Sequence, residues 1–465
     1  MPTQARATLI AFVACVTSRL LSAIYYIEDP DSLRFALSTV EYDVPRLQPH
    51  FPGYPVFCWL VKLFDATTGS YAVAFALVGG ISTWLIILSL VAIADQKLNR
   101  PEGVLIAGLV FLNPLFWIMG NRYMPDLTGL ACLLGAFHFL TLGRRLTLGG
   151  FLIGLLAGIR LSYLPFAIAP MVHALWVHST GRLRLLAGGL AGVVIWLLPL
   201  VWMTGLHNLI DAARTQSAGH FSDFGGTVWT EPDLLIRLGK LSEGILADGM
   251  GLYWTDRHWS TAVTALALLT VIVPVLAQTV RRRSQDKLFR IHLLCWALYL
   301  VWIFLGQNII YKSRHVIPLL PLVILIVAQA ALVVRRSART FWHVPLAVFL
   351  VGHAYVTTHL VIQHRRPSAI AQIKTYLEAK SGPDLHIVTV PLIEYYLSTQ
   401  GVRGTYITIE AGSDLVDMSP IPDSATVVTI GSPHDFPDRP LKSRRGFYHN
   451  PYVNRMWSEI DVYEY

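Results

Sequence analysis

Long apolar runs separated by short polar connections recur along the first three quarters of this chain, and they limit how it can fold. Of its 465 residues, 54% are hydrophobic and only 14% are charged. Runs of this length cross about 30 Å of hydrocarbon, and a soluble domain of this size does not need so much apolar surface. The sequence therefore predicts an all-α polytopic membrane protein with about eleven spans. These spans are Ala7–Ile27, Tyr71–Ile93, Gly103–Met119, Leu127–Leu142, Leu148–Ile159, Leu161–Val177, Leu185–Met203, Thr261–Val280, Ile291–Leu305, Val316–Val334 and Val344–Ile362.

The basic residues indicate the orientation of these spans. The net charge of +8 would suggest nucleic-acid binding in a soluble chain. Here the basic residues cluster in alternate connections, which the positive-inside rule assigns to the cytoplasm, so nucleic acid is not an expected partner. The first span is read as a retained helix with a cytoplasmic N-terminus, and an odd number of spans then places the C-terminus outside. The cytoplasmic set is Arg6, Lys97, Arg100, Arg144, Arg145, Arg182, Arg184, Arg281, Arg282, Arg283, Lys287, Arg290, Arg335, Arg336 and Arg339.

The segment from Leu148 to Val177 is too long for one ordinary span. A single helix of about thirty residues would reach about 45 Å, and both of its ends carry basic pairs. The consistent solution is a short helical hairpin with Arg160 near its tip, where Pro165 helps to interrupt the helix.

The composition changes to that of a soluble domain beyond residue 366. An amphipathic helix at Ala369–Lys380 and a second helix at Ile393–Thr399 are interleaved with apolar strands. We therefore predict two parts, a transmembrane domain over 1–366 with outer loops at 28–70 and 205–259, and a small extracytoplasmic α/β domain over 367–465. The predicted strands are His386–Pro391, Tyr406–Glu410, Thr426–Ile430 and Ile460–Tyr463.

An acidic cluster follows the first span and is the main candidate for chemistry. Glu28, Asp29 and Asp31 precede a polar helical stretch, and ionisable groups at the mouth of a membrane helix are costly unless they are used. One carboxylate can act as a general base toward an acceptor hydroxyl, with Asp31 the first choice and Asp29 the second. Asp29-Pro30-Asp31 is also a D-x-D sequence that can hold a divalent cation such as Mg²⁺ or Mn²⁺, although ordinary loops contain the same pattern.

Cationic residues are predicted on the same outer face. Arg160, Lys312 and Arg314 can receive charge that develops on a phosphate leaving group. His50, in a His-Phe-Pro-Gly-Tyr-Pro turn, is either a substrate ligand or part of a sharp turn. Arg122 and Asp126 either pair with each other, or Asp126 assists in the site.

Several of these segments, taken together, resemble the GT-C membrane glycosyltransferases. The four matching segments are Asp31-Ser32 followed by His50-x-Pro52-Gly53-Tyr54-Pro55, Asn121–Leu130 with Asp126 as a second acidic position, Gly158-Ile159-Arg160-Leu161-Ser162, and Lys312-Ser313-Arg314-His315 leading into Pro318-x-x-Pro321. Their order and their shared side extend the resemblance over about Ala7 to Ile362.

The resemblance implies an inverting transfer of one sugar from a polyprenyl-phosphate donor to a glycan, lipid or protein acceptor at the outer face of a bacterial inner membrane. It implies Asp31 as base and the lipid phosphate near Arg160, Lys312 and Arg314. We also predict substrate contacts from Glu28, His50, Arg122, Asp126 and His315. The segment 205–259 would form an acceptor-side wall. The Glu-Asp-Pro-Asp motif departs from the Asp-Glu pair of the protein-mannosylating and aminoarabinose-transferring branches, so the base and the acceptor stay open.

Two functions of other classes remain as alternatives. A transporter or flippase of lipid-linked saccharides would spread ionisable residues through the depth of the membrane, whereas here they collect on one side. A non-catalytic cell-envelope assembly protein would keep the fold and use the outer domain for binding.

Overall fold

The computed structural model describes residues 3–223, 225–283, 286–336, 340–409, 421–434, 436 and 439–465. Eighteen α-helices and five strands form in these ranges. The helices are α1 (Gln4–Leu21), α2 (Pro30–Val40), α3 (Pro55–Thr68), α4 (Tyr71–Ile93), α5 (Pro101–Phe111), α6 (Pro114–Asn121), α7 (Asp126–Leu142), α8 (Leu146–Arg160), α9 (Leu164–Val177), α10 (Arg182–Thr204), α11 (Leu206–Ser222), α12 (Leu234–Glu243), α13 (Trp259–Arg283), α14 (Lys287–Gly306), α15 (Leu320–Arg335), α16 (His343–His364), α17 (Ala369–Glu378) and α18 (Pro391–Thr399).

The helices α1 to α16 form a multi-pass membrane domain. Within the described ranges, seven helical segments are long and apolar enough to cross a membrane, with 146–177 counted as one segment, or eight if the bent pair α5–α6 is one span. That pair bends by 57° where Pro114 begins α6 and leaves the preceding backbone without a continuous helical ladder. The helix α7 and residues 259–273 are apolar but shorter. The predicted count of eleven spans is therefore not confirmed.

The segment 146–177 folds back on itself at Leu161–Tyr163, as the basic residues at its two ends predict. A Cβ atom on Gly143 would lie 2.1 Å from the ring of His178, so the two ends of the segment are neighbours. The helices α8 and α10 then run parallel, with a Cβ on Gly154 only 2.3 Å from the carbonyl oxygen of Gly189. Glycines allow this close backbone approach, and it fixes Arg160 at the tip of the hairpin.

The segment between α10 and α13 contains a helix whose polarity is inverted relative to a water-facing helix. In α12 the apolar side chains of Leu234, Leu235 and Ile236 are all at least half exposed, whereas Arg237 is completely buried. The Arg237 guanidinium donates to backbone carbonyls, including that of Gly226 at 2.8 Å. A helix that exposes apolar side chains and buries its arginine suits the lipid interface better than water. A π-helical turn at Gly244–Gly249 follows it.

The C-terminal part forms an α/β domain, as predicted. Its strands are β1 (Leu385–Thr389), β2 (Thr405–Thr408), β3 (Thr426–Ile430), β4 (Ser443–Tyr448) and β5 (Glu459–Glu464), in the sheet order β2-β1-β3-β5-β4. β1 pairs in parallel with β2 and β3, and β5 is antiparallel to β3 and β4. The sequence did not predict β4, whose side chains are mostly exposed at the sheet edge. Glu410, the predicted end of β2, lies outside the described residues.

This domain packs directly on the first outer loop. Leu33 of α2 belongs to the same apolar core as Ile370 and Tyr396 of the C-terminal domain. The Tyr396 hydroxyl donates to the carbonyl of Ile27 at 2.5 Å, and the Ser368 hydroxyl donates to the carbonyl of Glu28 at 2.8 Å. The acidic loop is therefore held between the two parts of the chain.

Candidate active site

The acidic residues take their positions from the start of α2. The Oδ1 atom of Asp29 accepts the backbone N–H of Ser32 at 2.8 Å and so caps the helix, while Pro30 occupies the first helical turn. Asp31 follows in that first turn, where a carboxylate is favoured by the helix dipole. Side chains two residues apart point in different directions, so Asp29 and Asp31 have different partners.

Asp31 lies among three cations. Its Oδ2 atom is 2.6 Å from Lys312 Nζ and 2.7 Å from Arg314 Nη2, and its Oδ1 atom is 3.3 Å from Arg34 Nη1. Burial alone would raise the pKa of Asp31, but Lys312 and Arg314 outweigh it and hold that pKa well below its ordinary value. One carboxylate for three cations leaves an excess of positive charge at this point.

Glu28 and Asp29 share a different cation. Arg122 contacts both carboxylates, with its Nε atom 3.3 Å from Glu28 Oε2 and its Nη2 atom on Asp29 Oδ2. Glu28 is only 1% exposed and also lies 3.1 Å from His364 Nε2. Burial would raise the pKa of Glu28, but Arg122 and His364 lower it to about 2. This cluster connects the acidic loop to the membrane helices, and two carboxylates share its one guanidinium.

Asp126 pairs with Arg160, so of the two alternatives for Asp126 the pair with Arg122 does not form. Asp126 Oδ1 lies 3.0 Å from Arg160 Nη2 and accepts from the Tyr163 hydroxyl at 3.3 Å. Arg122 stands just beyond the end of α6, before Pro125, and so does not share a helix with Asp126. The pair fixes the tip of the α8–α9 hairpin against α7.

The His50 turn packs onto this hairpin tip. His50 Nε2 lies 3.0 Å from the Tyr54 hydroxyl, which in turn accepts from Arg160 Nη1 at 3.4 Å. Burial lowers the pKa of His50 to about 3, which makes its imidazole neutral at working pH. The Tyr54 hydroxyl thus connects the first loop to Arg160.

A narrow cleft lies between the membrane domain and the C-terminal domain. Of the predicted site residues, it is lined by Asp29, Arg122, Lys312 and Arg314. Asp31 does not line the cleft itself, but it contacts two residues that do, Lys312 and Arg314. Glu28, Asp126, Arg160 and His315 are buried behind this set and contact its members or each other, whereas the half-buried His50 contacts Tyr54.

The C-terminal domain supplies residues to the cleft that sequence reasoning missed. The segment 451–456, between β4 and β5, forms one wall, with Tyr452, Asn454 and Arg455 as its polar members. No spacing or charge cluster in the sequence singles out this segment, because its role depends on the docking of the C-terminal domain. The predicted acceptor-side segment 205–259 contributes Glu243 and Asp248, which bind Arg455.

The D-x-D pattern does not fit a divalent cation in this arrangement. Asp29 is engaged by a helix N–H and by Arg122, and both oxygens of Asp31 are engaged by cations. Within the described ranges, no three His, Cys, Asp or Glu residues are grouped to hold a metal.

Comparison with known proteins identifies the fold. No protein-family profile and no curated protein matches the sequence. Two crystal structures of ArnT from Cupriavidus metallidurans do match, one bound to undecaprenyl phosphate and one in the apo state. They are 13% and 14% identical to this chain, both have a TM-score of 0.54, and the match covers 98% and 99% of this chain and 97% and 98% of theirs.

A third match is the oligosaccharyltransferase of Archaeoglobus fulgidus, tethered with an acceptor peptide. It is 13% identical, with a TM-score of 0.51, and the match covers 87% of this chain and 64% of that one. ArnT and the archaeal enzyme are both GT-C glycosyltransferases. These matches confirm the GT-C fold that the sequence motifs predict, and they extend it through the C-terminal domain.

Proposed function

We propose that this GT-C-fold chain is an integral membrane glycosyltransferase that moves one sugar from a polyprenyl-phosphate donor to an acceptor hydroxyl at the outer face of the membrane. The observation that carries the proposal is the Asp31 cluster, in which Lys312 and Arg314 line the cleft and share a single carboxylate oxygen. The lipid phosphate bound by the ArnT neighbour supports the same donor class.

The excess positive charge beside the cleft is the binding site for the donor phosphate. Lys312 and Arg314 are held 2.6 and 2.7 Å from Asp31 Oδ2 and can turn toward a phosphate placed in the cleft. Both cations then stabilise the negative charge that develops on the phosphate as the bond from the anomeric carbon to the phosphate oxygen breaks.

The same movement frees Asp31 to act as the base. While two cations share Oδ2, the carboxylate is a poor proton acceptor because its pKa is well below the ordinary range. When the donor phosphate attracts these cations, that pKa rises, and Asp31 can accept the proton of the acceptor hydroxyl as its oxygen attacks the anomeric carbon. The phosphate leaves from the opposite face of the sugar, which inverts the anomeric configuration.

The test is donor consumption by the purified full-length chain in lipid nanodiscs, with a panel of radiolabelled undecaprenyl-phosphate sugars. We expect Asp31→Asn, which keeps the shape and loses the proton acceptor, to lower turnover by about 10²- to 10⁴-fold. Asp29→Asn is the matched variant, because asparagine still caps α2. It should retain much more activity.

Two outcomes would contradict the assignment. If Asp29→Asn loses turnover and Asp31→Asn retains it, Asp29 is the base. If the wild-type chain consumes none of the donors, the glycosyltransferase proposal fails, and the transporter and assembly-protein alternatives gain support.

A further inference from the structure

The wall of the cleft opposite Lys312 and Arg314 belongs to the C-terminal domain. The segment 451–456 lines the same cleft as these cations, and Asn454 reaches across it to Asp29. Asn454 Nδ2 lies 3.5 Å from Asp29 Oδ2, which is a long hydrogen bond and leaves this amide able to donate elsewhere. The Asn454 Oδ1 atom accepts the backbone N–H of Met456 at 3.0 Å, so the side chain is held in place.

Arg455 is fixed beside Asn454 by two carboxylates. Its Nη1 atom lies 3.0 Å from Glu243 Oε1, and its Nη2 atom lies 2.8 Å from Asp248 Oδ2. Two guanidinium groups contact the ring of Tyr452, with the Arg257 Cζ atom 4.1 Å and the Arg455 Cζ atom 5.2 Å from its centroid. These contacts restrict the guanidinium, which still lines the cleft with 12% of its side chain exposed.

The two walls therefore differ in charge. Around Asp31, three cations surround one carboxylate, whereas Arg455 shares Glu243 and Asp248 with Lys240 and Arg257, so three cations there face two carboxylates. The Arg455 wall therefore attracts a phosphate less strongly than the Asp31 cluster does. The Asn454 amide and a guanidinium already held by carboxylates suit hydroxyl groups, which donate and accept hydrogen bonds.

We propose that Asn454 and Arg455 are sugar-positioning residues and that the C-terminal domain thereby selects the sugar of the donor. This inference rests on the proposed function, because the donor phosphate at Lys312 and Arg314 places the covalently attached sugar against the facing wall of one small cleft. The C-terminal domain is then part of the donor site and determines which sugar is transferred.

The experiment separates the sugar from the lipid phosphate. Binding of undecaprenyl phosphate without a sugar, and of a panel of undecaprenyl-phosphate monosaccharides, is measured with full-length protein in lipid nanodiscs. The variants are Asn454→Ser, Arg455→Gln and Arg455→Lys. The matched control is Arg444→Gln, which removes an exposed arginine of the same domain that pairs with Asp461.

We expect Asn454→Ser and Arg455→Gln to weaken binding of the preferred sugar-bearing lipid by about tenfold, the effect of one lost hydrogen bond. Binding of undecaprenyl phosphate alone should stay the same. The ratio of kcat/KM between the preferred sugar donor and the other donors should fall by a similar factor. Arg455→Lys should recover part of the loss, and Arg444→Gln should match the wild type. If Arg455→Gln does not fold, Asn454→Ser decides.

Other results would overturn the inference. Equal weakening of both lipids would mean that the wall only supports the shape of the cleft, and unchanged sugar preference in Asn454→Ser would mean that the sugar lies elsewhere. In both cases donor consumption by the wild-type chain would leave the proposed function standing. If the wild type binds neither lipid, the proposed function itself fails.

Discussion

Two charged clusters lie within four residues of each other in the first outer loop, and they have opposite balances. Glu28 and Asp29 share Arg122, so carboxylates outnumber guanidinium groups, whereas Asp31 faces Lys312, Arg314 and Arg34. The first cluster is saturated and holds the loop to the membrane helices. The second cluster carries excess positive charge and lies beside the cleft. A ligand anion can bind to the second cluster without leaving a buried charge unpaired, and it cannot do so at the first.

The largest effect is expected on stability, when the saturated cluster of Glu28, Asp29 and Arg122 loses its guanidinium. Arg122→Gln leaves two buried carboxylates without a guanidinium and should lower the free energy of unfolding by about 3–5 kcal/mol. Arg314→Gln should cost less than half of that, because Asp31 keeps Lys312 and Arg34 and one source of repulsion is removed. Thermal unfolding of both variants in the same nanodiscs checks the difference. Equal losses would mean that the two clusters have the same role.

The next effect concerns ligand binding at the unbalanced cluster. Lys312→Gln and Arg314→Gln each remove a charge-assisted contact and should weaken undecaprenyl phosphate binding by about 10- to 100-fold. Arg34→Gln is the control, because Arg34 contacts Asp31 from behind the residues that line the cleft. We expect Arg34→Gln to bind undecaprenyl phosphate with an affinity within about threefold of the wild type. If all three variants bind undecaprenyl phosphate with the same affinity, Lys312 and Arg314 have no special role in binding it.

A smaller effect is the pH dependence of the saturated cluster. The pKa of Glu28 is lowered from 4.5 to about 2, so the unfolded chain takes up this proton first as the pH falls. The stabilisation is complete above pH 4.5 and is lost as the pH falls toward 2, by at most about 1.4 kcal/mol per pH unit. Between pH 5 and pH 3, Glu28→Gln should therefore lose less stability than the wild type. Parallel curves would show that Glu28 is not perturbed.

The smallest effect is expected at an exposed ion pair of the C-terminal domain. Arg444 pairs with Asp461 at 2.7 Å, but its side chain is 63% exposed. Arg444→Gln should change the free energy of unfolding by less than about 1 kcal/mol. A loss as large as that of Arg122→Gln would mean that burial does not explain the difference between the clusters.

Much of the fold follows from local pattern. The apolar run Tyr71–Ile93 forms α4 with the predicted bounds, and Thr426–Ile430 forms β3. The hairpin at Arg160 could be predicted because the basic residues at both ends required it. The edge strand β4 could not, because its side chains are mostly exposed and only pairing with β5 makes it a strand.

For the candidate site, the sequence predicted the types of residue involved better than it predicted which residues contact each other. Residue types and order placed Asp31, Lys312 and Arg314 on one face, and the structure brings them into contact. The partner of Arg122 is 93 residues away in Asp29, and no sequence spacing encodes such a contact. Asn454 and Arg455 were missed because the docking of one domain on another determines their position.

Helix α12 links an exposed apolar surface to the cleft. Its apolar side chains face outward at one end, and its last residue, Glu243, holds Arg455 in the cleft wall. A change in bilayer thickness shifts the depth at which such an interfacial helix rests. We therefore expect the bilayer to influence the shape of the cleft, so that thinner and thicker lipid bilayers give the same chain different affinities for undecaprenyl phosphate.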